Sequence, residues 1–126
     1  MKKELFAGLT ILCLLIISIA GYVHLAKLTD GIALHTNKAM SAVAQGNFVT
    51  AQTEMNTALK LWNNDEHYTH IFIRHSEVDA VSDAFYEVLE AICANQKSEA
   101  QISIQKLMYH INSVQSMEKI TFKSVF

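Results

Sequence analysis

The sequence contains no proline and only four glycines among its 126 residues. At an ordinary usage of about 5%, a chain of this length would hold roughly six prolines. Because proline and glycine are the residues that interrupt helices, their scarcity favours long helices without breaks. The length itself corresponds to a single domain.

Cysteine and unbalanced charge are scarce as well. Two cysteines, Cys13 and Cys93, are too few for a disulfide framework. Ten Lys and Arg against twelve Asp and Glu give a net charge of −2 without a basic face, so nucleic acid is not an expected partner. No glycine-rich phosphate loop or nucleophile elbow is present, and the sequence predicts neither an enzyme nor a bound cofactor.

Cys93 and His110 are conceivable as a nucleophile and base across the last pair of helices. Cys93, however, directly follows Ile92, which belongs to an apolar stripe. We therefore predict that Cys93 is a buried, inert thiol.

One long hydrophobic run is present, over residues 5–23. Its 19 residues would span about 28 Å as a helix, close to the hydrocarbon thickness of a bilayer. Small residues Ser18 and Ala20 before Gly21 are also compatible with a cleaved signal peptide. Because the run exceeds the usual apolar core of a signal peptide, we predict an uncleaved transmembrane anchor.

Basic residues indicate how this anchor is oriented. Lys2 and Lys3 precede it, whereas Lys27 and Lys38 follow it, which weakly favours a cytoplasmic N-terminus. The predicted organisation is therefore a cytoplasmic segment 1–4, a span over 5–23 in the cytoplasmic membrane, and an extracytoplasmic domain over 24–126. The lipid bilayer is accordingly a predicted partner.

Four apolar stripes with helical spacing follow residue 24. Gly46-Asn47 breaks the first stripe, Ser76-Glu77-Val78-Asp79 matches a capping box that opens the third, and Ser98 with Gln101 caps the fourth. We predict an all-α fold in which an N-terminal transmembrane helix precedes a four-segment antiparallel bundle of two helical hairpins. The stripes comprise Leu25, Leu28, Ile32, Ala39 and Val43; Phe48, Ala51, Met55, Ala58 and Trp62; Val78, Val81, Phe85, Val88, Leu89 and Ile92; and Ala100, Ile104, Leu107, Met108, Ile111 and Val114.

The second stripe, from Gly46 to Leu59, resembles the second helix of a tetratricopeptide unit, although no 34-residue period repeats it. This faint similarity implies close hairpin packing. The large aromatic side chains are expected to build the core and its margins. They are Trp62, Tyr68, Phe72, Phe85, Tyr86 and Tyr109.

The order of several motifs resembles a family of small, N-terminally anchored proteins of Gram-positive bacteria, the domain-of-unknown-function family 4363. The motifs are Gly46-Asn47-Phe48-x-x-Ala51, Trp62, His75-Ser76-Glu77-Val78-Asp79, and the closing segment Met117–Phe126. That family typically closes with a similar E-K-L-x-L-K-N-I-F segment, from which this chain departs with Ser124-Val125 in place of Asn-Ile. The resemblance implies a membrane-anchored helical protein with no assigned activity and no catalytic residues to carry over.

A cluster of titratable residues lies between Asp65 and Asp79. His67, His70 and His75 are candidate ligands of a metal such as zinc, although their spacing lacks the i, i+4 pair of a zinc-protease helix. We favour a solvated face instead and predict no metal site. Glu77 and Asp79 suit the positive end of a helix dipole and, with His75, are candidates for contact with a protein partner.

The closing segment, residues 117–126, is unusually apolar for a chain end. After Met117 the helical stripe fades, so we expect this segment to fold back into a groove of the bundle. The alternative is that Phe122, Ser124, Val125 and Phe126 bind another protein, since Ser124-x-Phe126 has the general form of a peptide that adds to a sheet edge.

Taken together, the sequence predicts a non-enzymatic adaptor or assembly factor that works through protein–protein contact at the outer face of the membrane. The alternative is an extracytoplasmic domain that senses a ligand or metal through His67, His70 and His75.

Overall fold

The computed structural model describes the backbone of residues 1–65 and 73–125, and the side chains of residues 1–65 and 73–116. These residues form four α-helices and, within those ranges, no β-strand. The all-α prediction is confirmed. The helices are α1 (Lys2–Ala44), α2 (Phe48–Asn64), α3 (His75–Cys93) and α4 (Lys97–Val125).

Helix α1 is a single uninterrupted helix of 43 residues, which at 1.5 Å per residue is about 65 Å long. Its first part, residues 1–20, is almost entirely exposed, whereas from Gly21 onward one face is buried against the other helices. The helix is long and apolar enough to cross a membrane. The apolar run 5–23 therefore leads into the bundle without a linker.

The four helices form an up–down–up–down bundle. Helix α1 packs against α2 and α4, and α3 packs against the same two helices, so the neighbours close a ring around one core. This matches the predicted pair of antiparallel hairpins, and the short connections 45–47 and 94–96 are of the length that joins antiparallel neighbours.

Two turns of the same design reverse the chain at one end of the bundle. After α1, Gly46 adopts a φ of +76° and the Asn47 N–H donates to the carbonyl of Ala42 at 2.8 Å. After α3, Asn95 adopts a φ of +56° and the Gln96 N–H donates to the carbonyl of Ala91 at 3.0 Å. Glycine and asparagine are the residues that tolerate this left-handed backbone, which explains why the breaks occur where the sequence predicted them.

The predicted apolar stripes make the core. All of their members are buried except Phe48, Leu89 and Met108, which are half-buried at its margin. Of the aromatic residues expected there, Trp62 and Phe85 are buried, but Tyr86 and Tyr109 are 61% and 70% exposed, so the expectation was wrong for these two. Tyr68 and Phe72 lie outside the described residues.

The predicted capping boxes of α3 and α4 are wrong by two positions. Arg74 is the N-cap of α3, with extended backbone angles and no side-chain hydrogen bond to the helix, so Ser76 lies within the first turn. The carbonyl of Gln96 accepts the first hydrogen bond of α4, from the Ala100 N–H at 2.9 Å, so Ser98 also lies inside its helix. Asn47, by contrast, caps α2 with its side chain, which accepts from the Thr50 N–H at 3.2 Å.

Two histidine–carboxylate contacts join α1 to α2. His24 Nε2 lies 2.9 Å from Asp65 Oδ1, and His35 Nδ1 lies 2.6 Å from Glu54 Oε2. Both contacts sit at the edge of the interface rather than in the core, since the side chains are partly exposed. They mark how α1 and α2 are aligned in the first hairpin.

The two hairpins are joined by a hydrogen bond at a buried indole. Trp62 is 2% exposed, and its Nε1–H donates to Ser82 Oγ at 3.3 Å, which links α2 to α3. Buried indole N–H groups need such an acceptor, because leaving one unpaired costs free energy.

Two buried threonines on α1 satisfy their own hydroxyls. Thr36 donates to the carbonyl of Ile32 at 2.7 Å, and Thr29 donates to the carbonyls of Leu25 and Ala26 at 3.0 and 3.1 Å. These are contacts within one helix, so they contribute nothing to the pairing of α1 with its neighbours.

The Trp62–Ser82 bond predicts the effect of Ser82→Ala. The variant leaves the indole N–H without its acceptor, and we expect a loss of about 1–2 kcal/mol in the free energy of unfolding. Thermal unfolding of the full chain in detergent micelles measures this. Ser41→Ala on the exposed face of α1 serves as the matched control. A Ser82→Ala variant as stable as that control would contradict the bond.

The threonine contacts predict that Thr36→Val changes stability by less than about 1 kcal/mol, because the hydroxyl bonds only to its own helix and valine has a similar branched shape. Ile32→Ala, one turn earlier at a site that is 0% exposed, should instead cost about 2–5 kcal/mol. Chemical unfolding of both variants compares the two. A loss above about 2 kcal/mol for Thr36→Val would mean that its hydroxyl supports a neighbouring helix.

Candidate functional site

The partner-contact candidates that the structure describes with their side chains, His75, Glu77 and Asp79, lie at one end of the bundle, which we call the anchor end. It comprises residues 21–24 of α1, 62–65 at the close of α2, 73–79 at the start of α3, and 112–116 of α4. The exposed apolar part of α1 leaves the bundle at this end. The two left-handed turns, at Gly46 and Asn95, lie at the opposite end.

Contacts between helices define the anchor end. His24 meets Asp65 at 2.9 Å, which places the close of α2 beside the point where α1 emerges. Tyr22 lines an open depression of about 310 Å³ together with Asn112, Gln115 and Ser116 of α4. Helices α2 and α4 therefore both reach the level at which α1 leaves the bundle and becomes exposed.

The three partner-contact candidates on α3 lie in its first two turns. His75 and Asp79 are exposed and, being four residues apart, share one face of the helix. Glu77 is half-buried in the first turn, where its carboxylate complements the positive end of the helix dipole. Val78 is buried between them and fixes the orientation of this turn. His75 and Asp79 are thus exposed on the first turns of a helix whose opposite face is packed against the bundle.

The metal candidates are only partly placed. His75 is exposed at the start of α3, whereas His67 and His70 lie outside the described residues. Within the part of the chain that the structure describes, no group of three or more His, Cys, Asp or Glu side chains is arranged to hold a metal ion. The sensing alternative therefore stays a prediction.

The closing segment differs from expectation in its backbone. Instead of fading after Met117, α4 continues as one helix through Val125, so Phe122, Ser124 and Val125 belong to its last turns. Addition to a sheet edge requires an extended peptide, which is not the conformation of this helix. Their side chains, and the whole of Phe126, lie outside the described residues.

Cys93 is exposed, which corrects the prediction of a buried thiol. It is the last residue of α3, and the Gln52 side-chain amide lies within hydrogen-bonding reach of its sulfur at 3.5 Å. His110 is 13 residues along α4 from Lys97, the first residue after the turn, and thus about 20 Å away along the helix. The two side chains are therefore not brought together as a catalytic pair.

A second open groove, of about 500 Å³, lies between α3 and α4 at the end opposite the anchor end. Glu87, Glu90 and Glu99 contribute acidic side chains to it, and Lys106 Nζ approaches Glu87 Oε2 at 3.4 Å. All four side chains are exposed, so the groove is a solvated surface in which a surface ion pair contributes little.

Sequence reasoning did not find the depression at Tyr22 or the two histidine–carboxylate contacts of the first hairpin. The contacts had a detectable signal. His24 and His35 are eleven residues apart, as are Glu54 and Asp65, and eleven residues are close to three helical turns. Matching spacings on two antiparallel helices indicate that two contacts form in one register.

Comparison with known proteins gives one match. No curated protein and no solved structure matches the chain. A family model described as domain of unknown function (DUF4363) matches residues 19–125, which takes in the bundle and the last five residues of the apolar run 5–23. The chain therefore belongs to the DUF4363 family.

Proposed function

We propose that this chain is a membrane-anchored, non-enzymatic interaction module, an adaptor or assembly factor whose bundle stands at the outer face of the cytoplasmic membrane. The observation that carries the proposal is the continuity of α1, which runs from an exposed apolar segment into the bundle core without a break. Such a helix does more than tether a domain.

A flexible linker would let the bundle sample many heights and orientations above the bilayer. A continuous helix instead holds the anchor end next to the membrane surface and presents the same side of the bundle to its neighbours. A partner in the same membrane then meets a preorganised surface at a raised local concentration, and less orientational freedom is lost on binding.

The contact surface that we propose is the start of α3. His75 and Asp79 are exposed there and lie at the anchor end, where a membrane protein could reach them. The same face continues with Asp83, also exposed, so the surface is acidic and suits a partner with basic side chains near the membrane. Buried Val78 and Val81 hold this helix in place beneath it.

The proposed orientation predicts how the two cysteines react. In protoplasts that carry the full chain, a membrane-impermeant maleimide should label Cys93, which is exposed on the bundle, and should spare Cys13, which lies within the apolar run. Mass spectrometry of the purified chain locates the label. Cys93→Ser is the control that should abolish labelling. Labelling of Cys93 only after lysis would place the bundle in the cytoplasm and contradict the proposal.

The proposed contact surface predicts a position-dependent crosslink. A photoreactive amino acid at His75 or at Asp79 should yield one discrete adduct in native membranes, whereas the same group at Gln105, exposed on α4, should not. Asp79→Lys should reduce the adduct formed from His75 about tenfold, because charge reversal opposes a basic partner.

The control for this experiment is stability. Asp79 is exposed, so Asp79→Lys should leave the unfolding temperature of the chain nearly unchanged. Equal adducts from His75, Asp79 and Gln105, or an adduct indifferent to Asp79→Lys, would argue against a specific acidic contact surface.

A further inference from the structure

We propose that the last turns of α4, residues 117–125, enter the headgroup and upper acyl region of the bilayer beside α1, which gives the chain a second contact with lipid. The inference rests on the anchoring role proposed for α1. It gives the apolar closing segment a third location. The sequence predicted that this segment contacts either a groove of the bundle or another protein.

The direction of α4 is the first support. Helix α4 runs antiparallel to α1, and at Tyr22 the two helices line one depression through Asn112, Gln115 and Ser116. Beyond Ser116, α4 continues for nine residues to Val125, or about 14 Å. From Tyr22, the apolar run of α1 continues in the direction in which α4 runs. The end of α4 therefore lies alongside the proposed membrane segment.

The burial pattern of α1 is the second support. Residues 1–20 are exposed except for Leu15 and Ser18, which are half-buried. They lie three residues apart and lead into buried Gly21 and Leu25, so the face that contacts the bundle continues down the apolar segment. Of the described elements, α4 is the one that passes Tyr22 in this direction, and we infer that it covers this face.

Small residues on α1 suit such a pairing. Ser18 and Gly21 lie on the covered face of α1, where short side chains let two helix backbones approach. In lipid, where no hydrophobic force drives two helices together, such close packing is the main source of helix association. The face of α1 is thus suited to a helix neighbour within the bilayer as well as above it.

The composition of the segment sets its depth. Ile120, Phe122 and Val125 are apolar, as expected of residues in contact with acyl chains rather than water. Glu118, Lys119 and Lys123 are charged. Long charged side chains at the edge of a membrane generally place their charge among the headgroups. A segment of this length and composition fits the outer half of the bilayer, with Val125 reaching at most the middle of the apolar run.

Site-directed spin labelling of the full chain tests the proposal. In a background of Cys13→Ala and Cys93→Ser, single cysteines introduced by Ile120→Cys and Ser124→Cys carry a nitroxide, and the chain is reconstituted in phosphatidylcholine–phosphatidylglycerol vesicles. Collision with oxygen, which concentrates in lipid, is compared with collision with a polar nickel chelate. Gln105→Cys is the aqueous control, and Leu12→Cys is the control within the anchor.

We expect the ratio of oxygen to nickel collision rates at positions 120 and 124 to be about tenfold above that at 105, because a polar chelate is excluded from hydrocarbon. Ratios at 120 and 124 equal to that at 105, with a lipid-like ratio at 12, would overturn this proposal and leave the anchor intact. An aqueous ratio at position 12 would instead overturn the anchor and this proposal together.

Each labelled chain must retain the unfolding temperature of the cysteine-free background. If Ile120→Cys does not, Thr121→Cys takes its place, so the depth of the segment is measured in either case.

Discussion

The structure depends on one helix, α1, which is exposed and apolar over its first part and buried along one face where the bundle begins. In α1 the sequence must keep the exposed residues 5–20 largely apolar and then, from Gly21 onward, restrict the buried side chains to a single stripe that faces the other helices. Both requirements are met without a proline or a linker. They concern only the side chains, so the backbone hydrogen bonds of the helix remain intact. The switch falls at Gly21, the first buried residue of the helix.

The other helices are arranged around that switch. Helix α2 returns from the far end and stops beside His24, and α4 crosses the same level at Tyr22. Leu25, Ile32 and Val43 of α1 form one wall of the core, so the bundle cannot detach from the anchor without exposing them. The apolar run and the bundle thus share one helix, and Trp62 joins the two hairpins.

The sequence predicted those features that a periodic pattern determines locally. Four stripes at helical spacing identified the helices and nearly all of the core, and Gly46 identified a turn because only a few residues accept a left-handed backbone. Features that depend on rotation about the helix axis were missed. Cys93 and Tyr86 each follow a buried residue directly and are therefore turned by about 100° from it, toward solvent. The start of α3 depended on the backbone angles of Arg74, which its residue type does not dictate.

The candidate surface was predicted only in part for a related reason. The sequence identified His75 and Asp79 as residues of interest, but their position at the anchor end follows from how the helices pair. That pairing depends on contacts between residues distant in sequence, such as His24 with Asp65. Matching intervals on two helices are a usable guide to it.

The continuity of α1 also has a mechanical consequence. A continuous helix that is packed along one part resists rotation about its axis. The packing of Ile32 and Val43 therefore fixes the direction in which the side chains nearer the start of α1 point. Leu15 and Ser18 therefore face one side of α1. Rotation of the helix about its axis cannot bring Leu9 or Ile16 to that side. A neighbouring protein that binds the exposed apolar part of α1 would therefore twist the bundle, and a force on the bundle would rotate that part of the helix.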